Sequence, residues 1–268
     1  MSLNSDLVNA MLDDDAERCI ALMKRGANPT CSTSSSWRGF WRCDGAPCIS
    51  YAVSKGMFAA ARAMIENGAD IFAKEENFDE EIGPFTLYRI CANIEAINLL
   101  ELVIRKGYDV QREYHYHKEV SGYDGIPDCK VITFTAMRAA IKAGNSDAIR
   151  ILLEHGYKCS DKEIEMLVKK TDENFAIRAI QNNCKDKYLP IDYLLWAIAR
   201  PSIKICEAII SLNPKLAKGD QALDAAVSND QVGIIRLLIR NGADSSSIGW
   251  LRRKFQSQDV LDALDGKG

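Results

Sequence analysis

Apolar side chains recur at three- and four-residue spacing through much of this chain, in pairs of short runs separated by a polar turn. The pattern is clearest over residues 135–158, where one run precedes a turn at residues 143–145 and a second run ends before Gly156. The apolar positions are Met137, Ala140 and Ile141, then Ala148, Ile149, Ile151, Leu152 and Leu153. This spacing predicts two short helices, each with one buried stripe.

The same kind of turn closes the second run seven times. The turns are RGAN (25–28), NGAD (67–70), KGYD (106–109), HGYK (155–158), NNCK (182–185), LNPK (212–215) and NGAD (241–244). Five carry Gly and two carry Asn where the helix should stop, and these residues tolerate the left-handed conformation of a helix C-cap. Because a repeated helix end indicates a repeated unit, we predict an all-α solenoid of stacked helix-turn-helix units.

The unit resembles the ankyrin repeat, whose pattern runs Thr-Pro-Leu-His-x-Ala-Ala, a Gly turn, a Leu-Leu helix and Gly-Ala-Asp. The resemblance is carried by CISYAVSKGMFAAARAMIENGAD (48–70), TLYRICANIEAINLLELVIRKGYD (86–109) and QALDAAVSNDQVGIIRLLIRNGAD (221–244). It implies one ankyrin-repeat domain over residues 1–268, with units at about 5–28, 47–70, 86–109, 135–158, 162–185, 192–215 and 221–244 and a C-terminal cap at 248–264. No unit keeps the full Thr-Pro-Leu-His set, and the fifth and sixth units lack the cap glycine.

Three connections in the N-terminal half are long, at residues 27–46, 69–85 and 108–134, and long connections in a compact array are usually functional or disordered. The first of these fingers contains aromatic and basic residues that are common at interface hot spots, namely Trp37, Arg38, Phe40 and Trp41. We interpret them as partner contacts, and the alternative is that the tryptophans fold back on the second unit. The second finger is acidic over residues 75–81 and is expected to face water.

The third finger alternates in the manner of a strand over residues 110–120 and is β-branched over 130–134, with turn residues between. This pattern predicts a protruding β-hairpin. Tyr114 and Tyr116 would lie on one face of the first strand, and His115 and His117 on the other. All four are candidate partner contacts.

The resemblance also implies a concave groove lined by the first helix of each unit. Carrying the groove positions over to this sequence gives Lys55, Lys142, Lys169, Lys170, Trp196 and Arg200. We predict that the basic part of this groove accepts an acidic protein segment, and the alternative is that these lysines only keep the surface soluble.

The composition argues against nucleic-acid binding, a membrane span and secretion. The formal net charge is −3, so the chain lacks the basic excess typical of nucleic-acid binding. No apolar run approaches the roughly 20 residues that cross a membrane, and the first ten residues do not resemble a secretory signal. Nine cysteines without such a signal favour a reducing, cytoplasmic location. We expect a monomer.

The sequence offers little catalytic chemistry. It has no phosphate loop, nucleophile elbow or HExxH, and it has three histidines, so we expect neither an enzyme nor a cofactor. His115, His117 and Cys129 could bind zinc across the hairpin, but they lack a convincing fourth ligand. The spacing of Cys31, Cys43 and Cys48 matches no known zinc ligand pattern, and the sequence leaves open whether they bind a metal. Residues 13–15 are three aspartates at an inter-helix turn, where they are expected to cap a helix rather than to bind calcium.

The sequence therefore favours a protein–protein interaction module, an adaptor or an inhibitor, that contacts a partner protein through its concave face and its fingers. An irregular ankyrin array is also compatible with a bacterial or viral effector that acts on a host factor. The alternative is a small-molecule or nucleotide binder that uses the aromatic fingers as a lid.

Overall fold

The structure, a computed structural model, describes residues 2–31, 47–73, 86–121, 127–184, 189–246 and 257–266. For strand residues 116–121 and 127–130 it describes the backbone alone. The chain divides into two compact units, Met1–Leu152 and Leu153–Gly268, and each is described by itself.

Unit 1 consists of consecutive helix pairs and one β-hairpin. Its elements are α1 (Leu3–Leu12), α2 (Ala16–Lys24), α3 (Cys48–Ser54), α4 (Phe58–Glu66), α5 (Thr86–Ala92), a 3-10 helix (Ile94–Ala96), α6 (Ile97–Arg105), β1 (Tyr114–Ser121), β2 (Pro127–Phe134), α7 (Ala136–Ala143) and the start of α8 (Ser146–Glu154). The first helices of successive pairs pack side by side in the order α1, α3, α5, α7, and the second helices in the order α2, α4, α6. The result is two layers of helices with the apolar core between them.

Unit 2 repeats this two-layer arrangement. Its elements are α9 (Asp161–Lys170), α10 (Glu173–Asn183), α11 (Ile191–Ala199), α12 (Ile203–Leu212), a 3-10 helix (Pro214–Lys218), α13 (Asp220–Ser228), α14 (Val232–Arg240) and α15 (Gln258–Leu264). Helices α9, α11 and α13 form one layer, and α10, α12 and α14 form the other. Helix α15 packs on α14 and buries Val260, Ala263 and Leu264, so it covers the last second-layer helix. The expected cap at 248–264 is described only from residue 257 onward.

The hairpin of unit 1 confirms the prediction of strands in the third finger. The two strands are antiparallel, and their register runs from Tyr114 opposite Phe134 to Ser121 opposite Pro127. The strands begin at residues 114 and 127, rather than at 110 and 130. The hairpin is anchored at its base, because Phe134 is 2% exposed and its ring meets that of Tyr88 edge-on at 5.4 Å.

The helix ends confirm the role of the glycines but not that of the asparagines. The predicted cap glycines, Gly26, Gly68, Gly107, Gly156 and Gly242, all have positive φ, which a glycine adopts without strain. The two asparagines do not take this conformation. Asn213 has φ −143° and caps the following 3-10 helix, and its side chain accepts a hydrogen bond from the Lys215 N–H at 3.3 Å. Asn183 instead binds the backbone of Cys159 through both ends of its amide.

The aspartates at residues 13–15 have structural roles in the described turn. Asp15 is the N-cap of α2, and its carboxylate accepts from the Arg18 N–H at 2.9 Å, as predicted. Asp14 has φ 51°, and its Oδ1 accepts from the Ala60 N–H of α4 at 3.0 Å. The turn of one helix pair is thus tied to the next pair.

Candidate functional site

The first-layer helices of unit 2 expose a common face. On α9, α11 and α13, the two residues at the middle of each helix are half-buried, whereas the residues on either side are buried in the core. We call this set the first-helix face of unit 2, and it consists of Glu165, Met166, Leu195, Trp196, Asp224 and Ala225. Because α11 contacts both α9 and α13, these residues form a row of mixed apolar and acidic character with Trp196 on the middle helix.

Trp196 is held in place by the residue one turn before it. The indole ring stacks on Tyr193, with 5.4 Å between ring centroids and 26° between ring planes. Residues three apart on a helix are neighbours, so α11 itself creates this pair. The Tyr193 hydroxyl donates to the Asp161 carboxylate at the start of α9. Burial first, and the hydrogen bond to Asp161 second, raise the pKa of Tyr193, so this phenol remains a donor near neutral pH.

Helix α9 carries a cluster of charges on its exposed side. The Lys162 Nζ lies 2.7 Å from Glu165 Oε2, and the Lys169 Nζ lies 2.6 Å from Glu165 Oε1. These hydrogen bonds, with that from Lys162 the larger cause, lower the pKa of Glu165 to about 2. Lys170, at the end of the same helix, is exposed. Lys169 therefore has an ion-pair partner on its own helix, which reduces the basic character predicted for this surface.

Arg200 contributes mainly to the packing of unit 2. It is the C-cap residue of α11, and its guanidinium donates to the backbone carbonyl of Val168 near the end of α9. Carbonyls in the last turn of a helix lack partners within the helix, so this bond satisfies one of them. The side chain is half-buried. The structure thus places Arg200 beside the predicted surface but gives its side chain a partner within the fold.

The two predicted lysines of unit 1 lie at the ends of first-layer helices. Lys55 is the C-cap residue of α3, and its Nζ lies 5.7 Å from the centroid of the Tyr51 ring. Lys142 is exposed in the last turn of α7, where a positive charge suits the helix C-terminus. Both positions are accessible to a partner, and both also have a structural use.

The predicted hairpin contacts differ in their exposure. Tyr114 is half-buried, with its ring centroid 6.3 Å from that of Phe134, so it belongs to the base of the hairpin. His115 is exposed, with Nδ1 3.2 Å from Thr133 Oγ1 and Nε2 3.6 Å from Glu113 Oε2. The backbones of Tyr116 and His117 lie in β1, and their side chains are outside the described part of the structure. Trp37, Arg38, Phe40 and Trp41 lie outside the described residues, as does the acidic finger at 75–81.

The hairpin register gives the backbone positions of His117 and Cys129, two of the three residues of the candidate zinc site in the hairpin. Cys129 lies opposite Glu119, and His117 lies opposite Val131. Within the described residues, no group of three His, Cys, Asp or Glu side chains is placed to hold a metal ion.

Most of the residues around Trp196 were not predicted from the sequence. Tyr193, Asp161 and Glu165 were not predicted as part of the site, although Tyr-x-x-Trp at helical spacing was a usable signal for a stacked aromatic pair. Met166 and Leu195 were also missed, because single apolar residues on a helix are more often buried than half-exposed. The contact between α9 and α11 is what identifies them as neighbours.

The class of protein follows from these observations. In each of the two compact units, the described helices form helix-turn-helix pairs with one layer of first helices and one layer of second helices, which confirms the predicted all-α repeat architecture. No helix in the described ranges is long and apolar enough to span a bilayer.

The chain was compared with known families, curated proteins and solved structures. No protein-family model and no curated protein matches this sequence. Among solved structures, the chain is similar to the ankyrin repeat domain of Bcl-3, a member of the IκB protein family, at 18% identity and a TM-score of 0.43, over 97% of this chain and 98% of that chain. The description of the fold rests on the helix pairs themselves.

Proposed function

We propose that this chain is a non-enzymatic module that binds another protein through the first-helix face of unit 2. The observation that carries the proposal is the half-buried Trp196, stacked on Tyr193 and flanked on the same face by Leu195 and Met166. Tryptophan is among the residues most enriched at interface hot spots, and here its ring is already ordered before binding. A pre-ordered anchor loses little side-chain entropy when a partner covers it.

The charges beside Trp196 favour a partner segment with acidic residues. Helix α9 has three lysines and three carboxylates, and their positions differ: Asp161 and Glu163 lie in its first turn, and Lys169 and Lys170 lie in its last turn. An acidic segment placed at the C-terminal end of α9 would meet these two lysines. Charges of this kind at the edge of an interface act mainly on the association rate and its salt dependence.

The fingers are a second proposed contact region, through Trp37, Arg38, Phe40 and Trp41 and through the hairpin. Of the two predicted hairpin contacts described with side chains, Tyr114 is half-buried and His115 is exposed. No observation favours the effector role over any other adaptor or inhibitor, so the proposal is limited to a protein partner. The small-molecule alternative depends on the aromatic first finger, which lies outside the described residues, and no observation favours it.

Affinity capture from lysate with matched variants tests the proposal. The wild-type chain is compared with Trp196→Ala and with the control Leu212→Ala. Leu212 is also a large apolar residue, 44% exposed, but it lies on α12 in the second-helix layer. We expect a protein that the wild type and Leu212→Ala capture and that Trp196→Ala loses. Equal capture by all three folded proteins would show that the first-helix face is not the binding site.

The contribution of the fingers is tested separately by shortening them. The hairpin is shortened between residues 116 and 132, so that Tyr114 and Phe134 keep their contact and the core of unit 1 is preserved. The first finger is shortened within residues 32–46. If both shortened proteins capture the partner as well as the wild type does, the fingers are not part of the interface.

A further inference from the structure

Two cysteines of unit 1 lie in direct contact. The Sγ atoms of Cys31 and Cys48 are 3.0 Å apart, although the residues are 17 positions apart in the chain. Cys48 is fully buried, and Cys31 is 6% exposed. The backbone holds them together, because the Cys48 N–H donates to the Cys31 carbonyl at 2.8 Å and the Cys31 N–H donates to the Asn28 carbonyl at 3.0 Å.

The distance between the two sulfurs distinguishes a bond between them from a shared metal ion. Two thiolates on one tetrahedral zinc, each about 2.3 Å from the metal, lie about 3.8 Å apart. A disulfide needs about 2.05 Å between sulfurs, so the observed pair must close by about 1 Å, which side-chain rotation can supply. The closer approach therefore favours oxidation of the pair over metal binding.

We propose that Cys31 and Cys48 form a redox-sensitive pair that hydrogen peroxide oxidises to a disulfide. The bond would join residue 31, which follows α2, to the first residue of α3, and would thereby link two consecutive helix pairs of unit 1 covalently. Backbone hydrogen bonds hold both residues in place, so we expect the bond to form without rearrangement of the helices.

The surroundings of the two thiols assign their roles. The hydrogen bond from the Cys48 thiol lowers the pKa of Cys31, and burial opposes this shift. The same hydrogen bond and burial raise the pKa of Cys48. Cys31 is also the more exposed of the two, so it is the thiolate that meets the oxidant.

The reaction is balanced in two steps. The Cys31 thiolate attacks one peroxide oxygen, an S–O bond forms, the O–O bond breaks, and hydroxide leaves and takes up the thiol proton as water. The Cys48 sulfur then attacks the sulfur of the Cys31 sulfenic acid. The S–S bond forms, the S–O bond breaks, and the oxygen leaves as a second water with the Cys48 proton. Two thiols are oxidised and one peroxide is reduced to two waters.

Peptide mapping of the full-length protein tests the pair directly. Reduced protein is treated with a limiting amount of hydrogen peroxide, its remaining thiols are alkylated in denaturant, and the non-reduced protein is digested with trypsin and Asp-N. Asp-N cuts before Asp44 and so separates Cys43 from Cys48. We expect peptides 26–38 and 44–55 joined by a disulfide, and the joined peptide should disappear on reduction.

Control cysteines in the same chain sharpen the result. Cys19 is fully buried, and burial raises its pKa to about 11, so it should be recovered alkylated. A Cys43→Ser variant should give the same joined peptide, whereas Cys31→Ser should not. The oxidised protein should also melt several degrees higher than the reduced protein, because the bond closes a loop in the unfolded chain.

Three results would overturn the proposal. The first is recovery of Cys31 and Cys48 as alkylated thiols after other cysteines have been oxidised. The second is a disulfide from either residue to Cys43, and the third is a Cys31 sulfinic acid without a bond to Cys48. The wild-type map decides between these outcomes even if Cys31→Ser fails to fold.

Discussion

Asn145 links two helix pairs of unit 1 through two separate interactions, and replacing it should destabilise the protein by the loss of each. It is 1% exposed and lies in the turn between α7 and α8. Its Oδ1 accepts from the Ala148 N–H at 3.1 Å, which caps α8. Its Nδ2 donates to the carbonyls of Cys91 at 3.1 Å and Asn93 at 3.3 Å. Cys91 lies in the last turn of α5, and Asn93 is the first residue after that helix.

The two roles predict different costs for two substitutions. Loss of an N-cap costs about 1 kcal/mol. Leaving a buried carbonyl without its donor costs about 1–3 kcal/mol. Asn145→Ala removes both interactions and should lower the free energy of unfolding by about 2–4 kcal/mol. Asn145→Ser can still cap α8 but cannot reach the α5 carbonyls, so it should cost about 1 kcal/mol less than Asn145→Ala.

Urea unfolding followed by circular dichroism measures these differences, and amide hydrogen exchange at Ala148 reports the cap alone. Asn229→Ala is the matched control. Asn229 also lies in an inter-helix turn, but it is exposed, and its amide donates to the Ala225 carbonyl at 2.7 Å. The control should cost less than about 1 kcal/mol. A cost below about 0.5 kcal/mol for Asn145→Ala, or equal costs for Ala and Ser, would contradict the two roles assigned to Asn145.

Three further predictions concern single positions. Gly107 has φ +77° with open space around it, so Gly107→Ala should cost about 1 kcal/mol from backbone strain alone, and an unchanged urea midpoint would contradict this. Gly233 lies inside α14, and a Cβ there would meet only the tip of Ile203, which is 43% exposed, so Gly233→Ala should raise the melting temperature. The pKa of Glu165, lowered from 4.5 to about 2, should rise in Lys162→Ala, as followed by carboxyl NMR. Because this pKa is lowered by folding, the contribution of Glu165 to stability should be present above pH 4.5 and lost as pH falls toward 2.

The helices and the hairpin could be predicted because their signals are local. Apolar spacing predicts which face of a helix is buried, and a glycine such as Gly107 or Gly156 marks a helix end because it takes positive φ without strain. The roles of Asn183 and Asn213 could not be predicted in the same way. Both lie at helix ends, as predicted, but neither takes the left-handed conformation, and the Asn183 side chain bonds instead to Cys159, 24 residues away.

The candidate site was less predictable, because it depends on contacts between helices. Trp196, Lys169 and Lys170 were predicted from the resemblance, whereas Lys162 was not. The use of Arg200 to bind the end of α9 became visible only in the folded arrangement, because Val168 lies 32 residues away. The pairing of Lys169 with Glu165 was not predicted, although four-residue spacing on one helix was a usable signal for it.

Site-specific photo-crosslinking tests the central proposal, that the first-helix face of unit 2 binds a protein. A photo-reactive phenylalanine analogue is introduced at position 195, beside Trp196, and in a second protein at position 212 on α12. Both positions hold leucine and both are at least partly exposed. We expect irradiation in lysate to yield a crosslinked protein from position 195 and none of it from position 212. Crosslinking of the same partner from position 212 alone would contradict it.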